Sequence, residues 1–390
     1  MNAATAIQRL EAAPILTELK AIAADFAAER PARQARRHLE RADFDRLAEA
    51  GFLRTGIPAS MGGLWSDTQS SVRLYCDMVR IIASGDPSVA LVASMHPTVL
   101  VFWLAAENAP PSDAAAWQEQ RNWCFGTARE GHWWGTVTSE PGSGGDIMKT
   151  RTLAQPAGAP NSFSLTGEKH FGSGSGITSF MITTAKVAQD AAPSMFFMDM
   201  RDMPWDGSKG VTLAAEWDGH GMSATQSHAF HFNGVEATQM AWPGGVAQSS
   251  PAAAQLGACM FTSVVVGVME SALAYARSKL QPRKDGLRSF ERVEWARAVN
   301  EVWTILQIHE GMVAAVESGA GGVAASARGK AIVAELAEVC LARMSKVVGG
   351  SSFSRSAPLG QWGQDVRALG FLRPPWGLAF DQLYDLSWKD

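Results

Sequence analysis

Apolar and polar positions alternate with a helical period over roughly the first 125 residues of the chain. In the N-terminal stretch, apolar side chains recur at near-helical spacing among charged ones, at Ile7, Leu10, Ile15, Leu19, Ile22 and Phe26. The same spacing predicts helices over 39–50, 70–84 and 87–106, with Gly51 and Gly85 at helix ends. Residues 1–125 are therefore expected to form an N-terminal all-helical domain.

The pattern changes twice more along the chain. Between 126 and 245, short alternating segments such as 179–185 and 228–232 are separated by frequent turn residues, which is typical of an antiparallel, barrel-like β domain. Helical spacing returns after Pro251, over about 251–280, 288–318, 324–348 and 360–370. These segments predict a C-terminal four-helix bundle within 246–390. The expected fold class is α+β.

Composition excludes several kinds of partner. The chain is 46% hydrophobic and 18% charged, with a net charge of −4, so it is typical of a soluble globular protein rather than a binder of nucleic acid. The longest apolar run, 264–269, is too short to cross a membrane, and the N-terminus lacks a signal-peptide pattern. Four isolated cysteines and eight scattered histidines show no metal-ligand spacing. We expect a cytoplasmic protein without a metal.

Two loops rich in glycine and hydroxyl groups carry the candidate chemistry. Residues 136–146 read TVTSEPGSGGD, and residues 171–176 read FGSGSG. Glycine lets a ligand approach the backbone, so such loops can direct N–H and hydroxyl groups at the polar edge of a flat cofactor. On composition alone, two ordinary β-turns explain the same residues.

Four motifs in order along the chain resemble the acyl-CoA dehydrogenase superfamily of flavoproteins. Residues 138–146 resemble its T-E-P-x-A-G-S-D loop, and residues 166–173 resemble its N-G-x-K-x-W-I-T segment. Residues 50–64 and 327–350 are similar to motifs of its first and last domains. The resemblance covers nearly the whole chain. It implies the helix, sheet and bundle order predicted above, a bound flavin (FAD or FMN) and, as is usual in this superfamily, a homotetramer.

The resemblance implies flavin contacts in the first loop. Thr136, Thr138 and Ser139 would form hydrogen bonds with the pyrimidine edge of the isoalloxazine ring. Gly144 and Gly145 would lie close to the substrate or to the flavin side chain. Hydrogen bonds at the ring edge adjust the electronics of the cofactor, which carries the redox chemistry.

The second loop is implied to cover another part of the ring. Phe171 takes the place of the tryptophan that usually packs beside the ring. Ser173 takes the place of the threonine that bonds near the reactive nitrogen, so it is a candidate catalytic residue as well as a flavin contact.

The chain departs from the superfamily pattern where dehydrogenation needs its base. Ser356 is matched to the position of the usual glutamate, and an unperturbed serine hydroxyl is a very poor base. The alternative base position, within 254–261, offers no carboxylate, and 251–270 contains no charged residue to anchor CoA. The segment whose arginine meets the FAD pyrophosphate is matched only loosely, by Arg283 or Arg288 with Phe290. A non-CoA substrate is therefore expected.

One branch of the superfamily agrees with these departures. Its members are two-component monooxygenases that take reduced FMN or FAD from a separate NAD(P)H flavin reductase, form a flavin hydroperoxide and oxidise a small molecule. They need no α-proton base, and they often read F-x-S-G, as residues 171–174 do. We expect this function on a non-CoA substrate.

Other interpretations stay open at this point. Many members of that branch carry a histidine shortly after the R-D-x-R helix, whereas residues 368–376 of this chain read ALGFLRPPW. His96 could instead supply a proton or orient the peroxide, although a packed histidine at a helix end is equally compatible. The alternatives to the monooxygenase are an acyl-CoA dehydrogenase with a relocated base, such as Glu270 or Asp365, and a member without catalysis.

Overall fold

The computed structural model describes residues 3–388, with side chains from residue 10 onward, so the side chain of Ile7 lies outside the described residues. The N-terminal part is helical, as expected, and the main helices are α1 Ala3–Ala28, α2 Arg30–Ala35, α3 Arg41–Glu49, α4 Thr68–Gly85, α5 Pro87–Leu104 and α6 Ala114–Arg129. In α1 the predicted apolar face is buried at Ile15, Leu19, Ile22 and Phe26, whereas Leu10 is 76% exposed. The apolar pattern did not predict helix α6, because the buried face of this helix includes Gln120 and Arg121.

Local chemistry fixes the ends of the two central helices. The Asp67 side chain accepts the Ser70 N–H at the start of α4. Asp86 accepts two backbone N–H groups at the start of α5 and also pairs with Arg33 at 2.8 Å, so one carboxylate caps a helix and holds α2 against it. Gly51 adopts φ 95° directly after α3, a conformation that favours glycine.

The middle of the chain forms a seven-stranded mixed sheet, with strands β1 Trp134–Thr136, β2 Leu153–Pro156, β3 Ser162–Gly172, β4 Phe180–Ala185, β5 Ser194–Asp199, β6 Val211–Ala215 and β7 His228–Gln239. The strand order is β1-β4-β5-β7-β3-β2, with β6 paired to β7. The other strand pairs are antiparallel, but β1 runs parallel to β4, which the alternation of side chains cannot reveal. Backbone hydrogen bonds between Lys186 and residues 152 and 154 bring β2 back to the end of β4, which gives the sheet its barrel-like form.

The C-terminal part is the expected helical bundle, with α7 Gly244–Leu280, α8 Ser289–Ser318, α9 Gly322–Val348, α10 Pro358–Phe371 and α11 Trp376–Leu386. Helix α7 begins at Gly244, before Pro251, so this proline lies inside the helix and removes one backbone hydrogen bond from it. Helices α4 and α5 pack against α7 and share one large apolar core with the bundle, whereas the barrel has its own. The boundaries at residues 125 and 245 stay a prediction.

The core of the molecule contains very apolar helices. By length and composition, Pro87–Leu104 and the stretch Gly244–Gly286 could each cross a membrane, although the run at 264–269 alone is too short. Their most apolar windows are 89% and 78% buried inside the protein. This burial is what the central helices of a globular core show, so the pattern is weak support for a membrane span.

Candidate functional site

The two glycine-rich loops lie side by side at one end of the barrel. The His170 N–H donates to the Ser139 carbonyl at 2.8 Å, which joins the end of β3 to the loop that follows β1. Thr138 is buried, and Thr136 and Ser139 are partly exposed beside it. The structure therefore places the hydroxyl groups of the first loop beside the second loop, although about thirty residues separate the two loops in the sequence.

A buried ion pair between Lys169 and Glu140 supports the first loop. The Lys169 ammonium, fully buried, donates to Glu140 Oε1 at 2.7 Å and to the Thr184 carbonyl at 2.7 Å. Glu140 also accepts the Arg151 N–H and the hydroxyls of Thr150 and Thr152. Burial works against both charges, yet these bonds lower the pKa of Glu140 to about 2, while burial lowers the pKa of Lys169 to about 8. Glu140 is thus a structural carboxylate and has no capacity left to act as a base.

The backbone of the first loop leaves room for a ligand. Gly142 and Gly144 have φ 73° and 62°, and a Cβ built on either would meet no atom within 4 Å. Gly145, at φ 82°, is close to the bundle, where a Cβ would lie 2.6 Å from Pro375. Ser143 Oγ accepts the Gly145 N–H at 3.2 Å and holds the turn. Gly142 and Gly144 therefore present open backbone, whereas Gly145 is required for close packing.

The second loop contributes a row of hydroxyl groups and an aromatic pair. Ser173 Oγ lies 2.7 Å from Ser227 Oγ, which lies 2.8 Å from Thr225 Oγ1. Phe171 has φ 59°, which is rare for a bulky residue, and its side chain is 58% exposed with its ring edge-on to Trp217 at 6.1 Å. A strained backbone that presents an aromatic ring to open space is a feature of ligand sites.

Arg373, which the sequence analysis did not select, joins the bundle to the first loop. It follows α10, and its Nη2 donates to Thr138 Oγ1 at 2.6 Å and to Ser139 Oγ at 3.0 Å. Its Nη1 donates to the Gly145 carbonyl at 2.7 Å. Burial lowers the pKa of Arg373 to about 10, only partly opposed by the charge of Asp146. The sequence signal was the stretch 368–376, which contains Arg373 and lacks the histidine that many members of the monooxygenase branch carry.

A second cation fixes the segment that carries Arg373. Lys330, from α9, is 2% exposed, and its Nζ donates to the carbonyls of Leu372 and Pro374, each at 3.0 Å. Burial lowers the pKa of Lys330 to about 8. Over residues 3–388, no carboxylate lies within ion-pair distance of Arg373 or Lys330. The bundle therefore brings positive charge to the loop.

His96 lies in the interior of α5 rather than at its end. Its Nε2 donates to the Leu53 carbonyl at 3.1 Å, and its Nδ1 accepts the Trp134 N–H at 3.2 Å, which defines a neutral ring. The side chain is fully buried, and this burial lowers the pKa of His96 to about 3. This geometry favours the packed histidine over the proton donor.

The carboxylates and the serine considered as bases are placed elsewhere or engaged. Ser356 is exposed, and its hydroxyl bonds to Ser354 in the same turn. Glu270 pairs with Arg80 through both carboxylate oxygens. Asp365 is buried where it accepts the Met222 N–H and Gln361 Nε2, and this burial raises the pKa of Asp365 to about 7. A catalytic role for Ser356 stays a prediction without a contact that supports it.

Together these residues fit a flavin. The open backbone at Gly142 and Gly144, the exposed Phe171 ring and the hydroxyls of Thr138 and Ser139 offer a cradle of the right chemistry for a flat ring with a polar edge. Among the described residues, no group of three or more histidine, cysteine or carboxylate side chains could hold a metal ion.

Comparisons with known proteins agree with this geometry. Residues 135–235 match the acyl-CoA dehydrogenase middle domain. The chain is 26% identical to the amino sugar nitrososynthase DnmZ of Streptomyces peucetius, over 85% of this chain and 82% of that protein. It is 27% identical to the probable FMNH2-dependent monooxygenase SfnC of Pseudomonas putida, over 75% of this chain and 70% of that protein. The crystal structure of a nitrososynthase from Micromonospora carbonacea var. africana superposes with a TM-score of 0.80, at 19% identity, over 100% of this chain and 98% of that one. The resemblance to the acyl-CoA dehydrogenase superfamily and its fold is confirmed.

Proposed function

We propose that this chain is the oxygenase of a two-component, flavin-dependent monooxygenase that acts on a small molecule other than a CoA thioester. One observation carries the proposal: the side chain that the bundle presents to the first glycine-rich loop, residues 136–146, is the guanidinium of Arg373 and not a carboxylate. Removal of an α-proton needs a base within reach. Glu140, one of the two carboxylates of the first loop, is held by Lys169.

Oxygen transfer makes different demands, which these residues meet. A bound reduced flavin would supply the two electrons with which O2 gives one oxygen atom to the substrate and one to water. The protein has to hold the ring edge, through Thr138, Ser139 and Ser173, and to keep the reacting face dry. The exposed ring of Phe171 and the partly buried ring of Trp217 are apolar groups that can help to keep water from the reacting face.

The relatives support FMN as the flavin and a substrate other than a CoA thioester. One is a nitrososynthase of amino sugars and the other is named for FMNH2 dependence. Arg283, the nearest match to the arginine that would meet an FAD pyrophosphate, donates instead to the Val347 carbonyl and pairs with Glu291. We infer a cytoplasmic enzyme that obtains reduced FMN from a separate NAD(P)H flavin reductase.

We also infer a homotetramer that assembles through the bundle. Large apolar side chains are exposed on neighbouring helices α8, α9 and α11, at Phe290, Val293, Trp303, Val323, Ile332, Val339, Phe380 and Tyr384. An apolar surface of this kind marks a protein interface. Multi-angle light scattering of the wild type and of Trp303→Glu measures the assembly, and a monomeric wild type would contradict the tetramer.

Spectroscopy and oxygen uptake test the proposed function. The purified protein should bind reduced FMN and consume oxygen only when a flavin reductase and NAD(P)H are present. An acyl-CoA should not bleach oxidised flavin bound to the protein under anaerobic conditions. Bleaching by an acyl-CoA would support the dehydrogenase instead, and failure to bind flavin in either redox state would indicate a member without catalysis.

A further inference from the structure

The guanidinium of Arg373 lies at one particular part of the proposed flavin site. Its two shortest contacts to hydroxyl groups are with Thr138 Oγ1 at 2.6 Å and Ser139 Oγ at 3.0 Å. These are the hydroxyls assigned to the pyrimidine edge of the ring. Its third contact, with the Gly145 carbonyl at 2.7 Å, fixes the same group to the turn that follows.

The positive charge at this point is not neutralised by the protein. A guanidinium has five N–H donors, of which three are used here, all on neutral oxygens. Asp146, the acidic residue that acts on Arg373 from a distance, directs its Oδ1 to the Met148 N–H. Lys330 adds a second cation behind the same segment. A buried or partly buried charge without an opposite charge is costly, so Arg373 at the proposed site, with Lys330 behind it, indicates that the ligand brings an anion.

The redox states of flavin differ in the charge that they would bring here. Oxidised flavin has a neutral ring, whereas reduced flavin is an anion at neutral pH with its charge on the pyrimidine edge. Charge placed by a protein near that edge is one of the ways in which it adjusts the cofactor. The phosphate of FMN is present in both states, so it contributes nothing to the difference between them.

We propose that Arg373, held in place by Lys330 and by the hydroxyls of Thr138 and Ser139, makes the site select reduced flavin over oxidised flavin. The inference rests on the proposed function, because an oxygenase that receives reduced flavin from another protein has to retain that state and release the oxidised one. Arg373 is a binding residue in this role. Lys330 is a positioning residue that acts through the carbonyls of Leu372 and Pro374.

Anaerobic titrations with FMN in both redox states test the proposal. For the wild type, Arg373→Gln and Arg373→Lys, the dissociation constants of reduced and oxidised FMN are measured by calorimetry and fluorescence. Loss of the charge in Arg373→Gln should lower the preference for reduced FMN by about tenfold or more. By linkage, each tenfold change corresponds to about 30 mV in the two-electron midpoint potential of the bound flavin.

Arg373→Lys and a control variant separate the effect of the charge from that of the side-chain geometry. Arg373→Lys keeps the charge but not the planar fork, so it should weaken both affinities while keeping most of the preference. Arg121→Gln removes a guanidinium that donates to the Trp103 carbonyl in the helical domain, and it should change neither affinity. Circular dichroism and melting curves confirm that each variant is folded.

The outcomes are distinguishable. Equal weakening of both redox states in Arg373→Gln would mean that the guanidinium only clamps the loop or holds the phosphate, and the proposal would be wrong. An unchanged preference would overturn it as well. If the wild type bound neither form of FMN, the proposed function itself would fail, whatever the variants did.

Discussion

Replacement of His96 by leucine tests whether this residue joins the helical domain to the barrel or takes part in the reaction. The ring connects the Leu53 carbonyl to the Trp134 N–H, at 3.1 Å and 3.2 Å, in a fully buried position. Leucine would remove the partner of the Trp134 N–H and one of the donors to the Leu53 carbonyl, which also belongs to the short helix Phe52–Gly56. An unsatisfied buried group costs roughly 1–3 kcal/mol, so the free energy of unfolding should fall by roughly that amount.

The pH dependence gives an independent measure of the same contact. Burial lowers the pKa of His96 from 6.5 to about 3, so the folded protein keeps the ring neutral while the unfolded chain takes up a proton. The contribution of His96 is therefore present above pH 6.5 and is lost as the pH falls toward 3. The slope is at most about 1.4 kcal/mol per pH unit. His96→Leu should lack this component.

Urea denaturation near neutral and near acidic pH measures both effects, and hydrogen–deuterium exchange of the Trp134 amide reports the local bond. His231→Leu serves as the control, because His231 is exposed on β7 and its replacement should change stability by less than about 0.5 kcal/mol. The packing role of His96 would be refuted if His96→Leu unfolded like the wild type and kept the Trp134 amide protected, but lost oxygen-dependent turnover.

Three further substitutions address the loops and the domain junction. Lys169→Met should lower the free energy of unfolding by about 3–5 kcal/mol, because it leaves the buried Glu140 with only the exposed Arg151, 3.9 Å away, as an ion partner. The double variant with Glu140→Gln should recover part of that loss in urea, and a double variant no more stable than Lys169→Met would count against the ion pair. Ser173→Ala removes the 2.7 Å contact with Ser227 and should weaken FMN binding in a fluorescence titration without unfolding the protein; unchanged binding and turnover would show that the loop is misassigned. Asp365→Asn should be more stable than the wild type near about pH 8 but not near about pH 4. Burial raises the pKa of Asp365 from 3.8 to about 7, so the wild type loses stability as the pH rises between those values; parallel stability curves would contradict this assignment.

The sequence determined the fold because its periodicities and turn residues are local signals. The apolar face of α1, the N-terminal caps at Asp67 and Asp86 and the short alternating strands can each be recognised from neighbouring residues. The two glycine-rich loops could also be recognised from their composition. Helix α6 and the parallel pairing of β1 with β4 could not be predicted, because a polar residue in a buried face and the direction of a strand leave no periodic signal.

The tertiary structure decided which polar residues meet at the site. Arg373 follows α10 and Lys330 lies in α9, far along the chain from Thr138 and Ser139, and no spacing rule connects them. His96 and Ser356 resembled candidate catalytic residues in the sequence, but one is bonded at both ring nitrogens inside the core and the other is exposed in its own turn. Local sequence patterns determine the helices and strands, whereas long-range packing determines which charges remain without an opposite charge. That packing places the positive charge of Arg373 at the first loop.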